Sequence, residues 1–188
     1  MSAARSPTPE EARQSLAEID AVALRTRRCI LSGLIAPHLV LWGIIWMAGF
    51  LVTQFWPSKS SAAWAILDGL GVPASIVIGW RSPPLRSPDL AKIGGFLAAL
   101  IVFAAVWAIL LWPFDPGRIG PYICSVAMFA YVVGGFWYGR ELIWLGAIVT
   151  GLIVAGVLLL PEWMNLWIGV VGGGSLLGSG VYLRSGWR

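Results

Sequence analysis

Asp68 is a carboxylate inside an apolar run, and that placement is the first thing in this sequence that could do chemistry. A charged side chain within a bilayer costs about 2.5–3.5 kcal/mol on insertion scales unless it is paired, hydrated or protonated, so it marks a functional candidate by default. Gly69 and Pro73 follow it. The proline has no N–H to donate, so it leaves a backbone carbonyl free one turn earlier. Two readings stand at this point. Either Asp68 lies about 10 Å below the outer edge of a span, at ~1.5 Å per residue, or the span begins later and Asp68 is an N-terminal helix acid near the headgroups.

His38 is the only histidine. It heads a face with Trp42, Trp46, Gly49 and Thr53 at helical spacing. Imidazole exchanges protons near neutrality, which suits a relay, while a hydrogen-bonded packing role needs no chemistry at all. His38 sits near the inner side, far along the membrane normal from Asp68, so no direct pair is expected. Asp68, His38, Trp42 and Trp46 together form the candidate intramembrane polar site. Trp107 is the other tryptophan deep enough to line a cavity.

Other chemistries lack their parts. One histidine cannot supply a two-histidine haem pair, and no partners complete a metal site. Cys29 and Cys124 form no CxxC and are expected to stay free. Pro113 to Arg118 superficially fits the P-x-D-x-x-R signature of mitochondrial carriers, but only one segment carries it and the chain is too short. No phosphate loop, zinc-protease motif, carboxylate pair or nucleophile–base set is present. The expectation is a non-enzymatic protein with no cofactor and no metal.

The elements that position these residues follow from composition. Of 188 residues, 58% are hydrophobic and 12% charged, about half the usual charged share. A soluble fold of this size has too much surface to hide so many apolar side chains. A bilayer removes that difficulty and demands roughly 20 apolar residues per crossing. The runs are continuous, not alternating, which selects helices over a barrel. Six runs appear, at 30–55, 62–80, 93–112, 120–138, 142–160 and 163–183, separated by short polar segments. The expected fold class is all-α: a polytopic membrane bundle of six transmembrane helices over 29–188, preceded by a cytoplasmic segment, 1–28. The very tight 139–141 turn makes the fourth and fifth spans antiparallel neighbours.

Residues 8–28 read as an amphipathic helix. Thr8 caps it, Pro9 suits the first position and Glu11 completes a capping box. Ala12, Leu16, Ile19 and Ala23 form one apolar stripe, with acids early and Arg25, Arg27 and Arg28 at the end, matching the helix dipole. Such a helix lies on the membrane, packs on the bundle, or docks a cytoplasmic protein partner.

Arg5, Arg13, Arg25, Arg27, Arg28, Arg81, Arg86, Lys92, Arg140, Arg184 and Arg188 fall on one side of this layout, and only Lys59 and Arg118 on the other. That asymmetry is expected to leave both termini on the cytoplasmic side. It also accounts for the net charge of +4 without nucleic acid. The remaining tryptophans fall in two belts, Trp56, Trp64, Trp112, Trp163 and Trp167 outside and Trp80, Trp137, Trp144 and Trp187 inside. Gly169/Gly173, Gly174/Gly178 and Ala147/Gly151/Ala155 have the small-xxx-small spacing that lets helices approach, within the chain or in a homo-oligomer. Gly172-Gly173-Gly174 is also a place where the last helix can break.

Odd spans end in an apolar run and proline: Phe55-Trp56-Pro57, Leu111-Trp112-Pro113 and Leu159-Leu160-Pro161. Even spans end near aromatic, glycine and arginine, so the chain reads as three tandem hairpins, or as interface chemistry repeated at each end. In length, six spans and proline-closed hairpins, the membrane part resembles the HdeD-type acid-resistance membrane proteins. The resemblance implies a role in envelope stress and transfers no site residue, and the polar N-terminal helix departs from that pattern. Two expectations result: a membrane-bound regulatory or stress protein, or a small transporter or channel built around Asp68 and His38.

Overall fold

The computed structural model describes residues 8–82, 87–110 and 115–185, and the described residues are helical with no strand. Helix α1 (Pro9–Ile30) starts on the expected capping box: the Glu11 N–H donates to Thr8 Oγ1 at 3.2 Å, and the Thr8 N–H to Glu11 Oε2 at 2.7 Å. The chain then runs through a π-helical turn, Leu31–Ile35, into α2 (Ala36–Phe55) without interruption. Pro37 explains the irregularity. It cannot donate to Gly33, and the hydroxyl of Ser82, shared between the Ile78 carbonyl at 2.7 Å and the Gly33 carbonyl at 3.1 Å, partly fills the missing donor's place.

A short 3-10 turn, Pro57–Lys59, reverses the chain into α3 (Ser60–Arg81). Then come α4 (Ser87–Leu110), α5 (Pro116–Tyr138) and α6 (Arg140–Leu159). A second 3-10 turn, Pro161–Trp163, leads to α7 (Met164–Trp167), a π-helical stretch Ile168–Gly173, and α8 (Gly174–Ser185). The triple glycine therefore loosens the last helix without breaking it. Among the described residues, five helical runs are long and apolar enough to cross a membrane: Pro9–Phe55, Pro57–Arg81, Gly117–Tyr138, Arg140–Leu159 and Pro161–Ser185. The third expected span is represented among the described residues by a shorter apolar helix, Gly94–Ile109, and its expected end at Leu111-Trp112-Pro113 lies outside them.

Helix α2 is the centre of the bundle, packed against α3, α7 and α8. Glycine sets how closely α8 approaches. A Cβ on Gly43 would meet the Leu177 nitrogen at 2.7 Å and the Gly173 oxygen at 2.8 Å, and one on Gly180 the Ala36 oxygen at 2.8 Å. These are backbone atoms that cannot move aside, so small residues make the contact possible. Leu39, Trp46 and Phe50 from α2 meet Met128, Val149, Ile153, Ile168 and Leu176 in one buried core. Helices α5 and α6 are close neighbours, joined at Gly139, whose φ of 138° only glycine adopts without strain.

Helix α3 contributes a single fully buried position, Gly71. Its outer side exposes Ile66, Leu70, Val72, Ile76 and Trp80. Helix α4 exposes Ile101, Val102 and Phe103, and meets α5 through the Tyr122 hydroxyl on the Ala104 carbonyl at 2.6 Å and an edge contact of Phe96 with Trp137. Apolar surface on this scale belongs against lipid, not water. Contacts also sort the two ends of the bundle. Gly33, Ser82, Arg27, Tyr138 and Glu141 meet at one. Gln54 meets Glu162 and Leu166 at the other.

Candidate functional site

Helix α3 and its C-cap carry four polar residues on one line. Ser61, Asp68, Ser75 and Ser82 are seven residues apart, so they drift only about 20° per step around an α-helix. Two of them bond to the preceding span. The Trp42 indole N–H donates to Ser75 Oγ at 3.1 Å, and Ser82 partly fills the Pro37 gap described above. Nearer the other end the Trp64 indole donates to Thr53 Oγ1 at 3.0 Å, and the Thr53 hydroxyl lies 2.8 Å from Ser60 Oγ. The groove between α2 and α3 is thus a polar seam.

His38 lies along this seam. On α2 it falls between Gly33 and Trp42, whose partners are Ser82 and Ser75, so it stands level with Ile78 and Gly79 of α3. Its Nδ1 is 2.7 Å from the Leu34 carbonyl, which can only accept. Nδ1 is therefore the donor in this contact. Trp42 is a working member of the seam, hydrogen-bonded and packed beside Gly71. Trp46 is not: it is buried in the core, edge-on to Phe50 at 6.3 Å. Trp107 is exposed and stacks edge-on with Phe103.

Asp68 is exposed, and no hydrogen bond or ion pair reaches it among the described residues. Since α3 begins at Ser60, the carboxylate sits more than two turns into the helix, ~12 Å along it at ~1.5 Å per residue. It is therefore not an acid of the first turn. A Cβ on the adjacent Gly69 would meet nothing within 4 Å, so the surface beside the carboxylate is open. Asp68 and His38 share the seam but not a contact, as their positions on antiparallel helices require.

A second polar cluster lies at the end of the bundle where α1 emerges. Arg27 Nη2 is 2.5 Å from Glu141 Oε2, and Arg27 Nε donates to the Tyr138 carbonyl at 2.6 Å. Gly139 makes room for it: any Cβ there would collide with the guanidinium. Sequence reasoning finds the tight turn and misses this clasp. A signal for it is present, since Glu141 is a lone acid beside a turn glycine on the side richest in arginine. Two tryptophans assigned to the outer belt also serve packing. Trp64 lies against Gly49 and Phe50, and Trp167 fills the notch at Gly156 while donating to the Leu152 carbonyl at 2.8 Å. Asp115, from the carrier-like segment, caps α5 by accepting from the Gly117 N–H at 3.0 Å. Pro113 and Phe114 of that segment lie outside the described residues. No protein-family model, curated protein or solved structure matches the chain.

Proposed function

We propose that this chain is a non-enzymatic regulatory partner in the bacterial inner membrane, with six spans, both termini cytoplasmic, and α1 as its contact with a cytoplasmic protein. The observation that carries the reading is the state of α1. It is capped, continuous with the first span, and has no buried residue. Its apolar residues Leu16, Ile19 and Val22 are each more than 60% exposed. A helix with an apolar stripe and nothing packed on it is suited to receive a partner. The Arg27 clasp fixes where that helix leaves the bundle, so binding at α1 would be felt at the turn between α5 and α6. The layout resemblance to HdeD-type proteins points the regulation toward envelope stress.

The test is complementation of an acid-challenged deletion strain. Protein lacking residues 1–24 is expected to insert and melt like the full chain and to fail in complementation. Full complementation by the truncated protein would remove α1 from the function.

A second reading, a small transporter or channel, is favoured by the line Ser61, Asp68, Ser75 and Ser82 beside His38. Flux in liposomes separates the two. A regulator moves no solute above the protein-free rate.

A further inference from the structure

We propose that the cavity between α6 and α8 binds an anionic phospholipid, one acyl chain along its apolar wall and the headgroup phosphate at its mouth. The cavity measures about 460 Å³, within the range of small-molecule sites. Leu142, Leu145, Ile148 and Val149 form one wall, and Ser175, Ser179 and Tyr182 bring hydroxyls to the other. Glu141, in the first turn of α6, and Leu183, in the last turn of α8, put the mouth at the end of the bundle where the arginines gather.

The hydroxyls are the telling feature. Serine and threonine in apolar helices usually satisfy themselves on the carbonyl one turn back. Ser32, Ser125 and Thr150 do so here, at 2.8, 2.8 and 2.7 Å. The hydroxyls of Ser175, Ser179 and Tyr182 have no hydrogen-bond partner among the described residues, and all three line the cavity. Hydroxyls held open along an apolar trough match the ester and phosphate oxygens of a glycerophospholipid, which accept and do not donate.

Charge selects an anionic headgroup. Arg140 directly precedes Glu141, and Arg184 directly follows Leu183. Neither side chain has a hydrogen bond or ion pair among the described residues. Glu141, the acid at the mouth among the described residues, is already paired with Arg27. An arginine at the mouth end of each wall helix, with Glu141 already paired, favours phosphate there, and basic pockets between membrane helices hold anionic headgroups in this way.

The chain offers a clean blocking variant. A Cβ on Gly178, which lines the cavity, would meet nothing within 4 Å, so Gly178→Leu places bulk in the trough from an unobstructed Cβ. The experiment is native mass spectrometry of full-length protein from detergent micelles doped equally with phosphatidylglycerol and phosphatidylcholine of the same chains. The wild type is expected to retain one phosphatidylglycerol with about tenfold preference. Gly178→Leu should lose retention of both lipids. The double variant Arg140→Gln with Arg184→Gln should keep a lipid and lose the preference. Equal retention of the two lipids by the wild type, or undiminished phosphatidylglycerol retention by folded Gly178→Leu, would overturn the proposal. If Gly178→Leu does not fold, Ser175→Ala with Ser179→Ala serves instead, and unchanged retention there would overturn it equally. Glycerol phosphate, which has the headgroup and no chain, should not displace the lipid, and displacement by it would overturn the acyl-chain assignment.

Discussion

Arg27 holds Glu141 at 2.5 Å across 114 residues of sequence, and the same guanidinium donates to the Tyr138 carbonyl. One side chain therefore ties the base of α1 to the turn between α5 and α6. Both partners are more than a third exposed, so solvent screens the pair and it contributes little stability. Its consequence is directional. It sets the angle at which α1 leaves the bundle.

Arg27→Ala should thus leave the bundle's melting temperature nearly unchanged, within about 1 kcal/mol. The direction of α1 should become variable. Spin labels at Leu16 and Trp144, both exposed, read this as a distance distribution. A distribution as narrow as that of the parent would show that the π-helical turn alone holds α1 in place.

Gly139→Ala tests the same junction from the other side. The residue has φ 138° and ψ 152°, a region essentially restricted to glycine, and its Cβ would strike Arg27. A cost of about 1–3 kcal/mol is expected from the strained backbone, with loss of the clasp. Gly134→Ala is the control, because a Cβ there meets nothing within 4 Å. Equal melting temperatures for the two variants would contradict the assigned turn geometry.

Much of this architecture was legible in the sequence because membrane folding depends on few variables. Apolar run length located the helices, and Thr8, Pro9 and Glu11 announced their own cap. Glycine spacing announced the approach of α8 to α2 at Gly173, though Gly178, with the same spacing, faces a cavity. Spacing gives the face of a helix and not the neighbour across it. The belts show the same limit. Trp64 and Trp167 are interface residues by sequence, yet a notch at Gly49 or Gly156 on another helix turns them inward. The Arg27 clasp joins two ends of the sequence through one turn conformation, and no local pattern encodes such a meeting. The line from Ser61 to Ser82 was visible as a seven-residue interval and needed only to be counted.

Glycine positions give a further paired test. Gly43→Ala should destabilise the bundle by about 1–3 kcal/mol, since its Cβ would press on the backbone of α8 at 2.7 and 2.8 Å. Gly151→Ala, in open space on α6, should be neutral or stabilising by up to about 1 kcal/mol from helix propensity. Thermal melts in detergent decide between them, and an undisturbed Gly43→Ala would argue against close contact of α2 with α8.

The capping box predicts a pH dependence confined to α1. The Glu11 carboxylate accepts from the Thr8 N–H, which holds its pKa below the ordinary 4.5. A depressed acid contributes stability that is fully present above its unfolded value and is lost as pH falls through the lower folded value. The first turn of α1 should therefore fray below about pH 4.5 while the bundle does not. Hydrogen exchange at the Glu11 and Ala12 amides measures it. Glu11→Gln, which still reaches the Thr8 N–H, should flatten the dependence.

Asp68 separates the two functional readings most sharply. Its carboxylate is exposed on α3 and unpaired among the described residues, so none of them depends on its charge. Asp68→Asn keeps the volume and one acceptor, and removes the cost of holding an ion against lipid. The variant should fold and melt at or slightly above the parent temperature. If the seam carries a coupling ion, flux in liposomes should fall by an order of magnitude or more and lose its pH profile, because Ser61, Ser75 and Ser82 offer no charge in its place. Asp115→Asn is the matched control. Asn caps a helix as well as Asp does, so α5 keeps its start and flux should not change. A regulatory chain gives the opposite pattern, with no flux to lose. Flux that matches the parent at every pH in Asp68→Asn would strip the seam of its transport role and leave the carboxylate as a contact for another membrane helix.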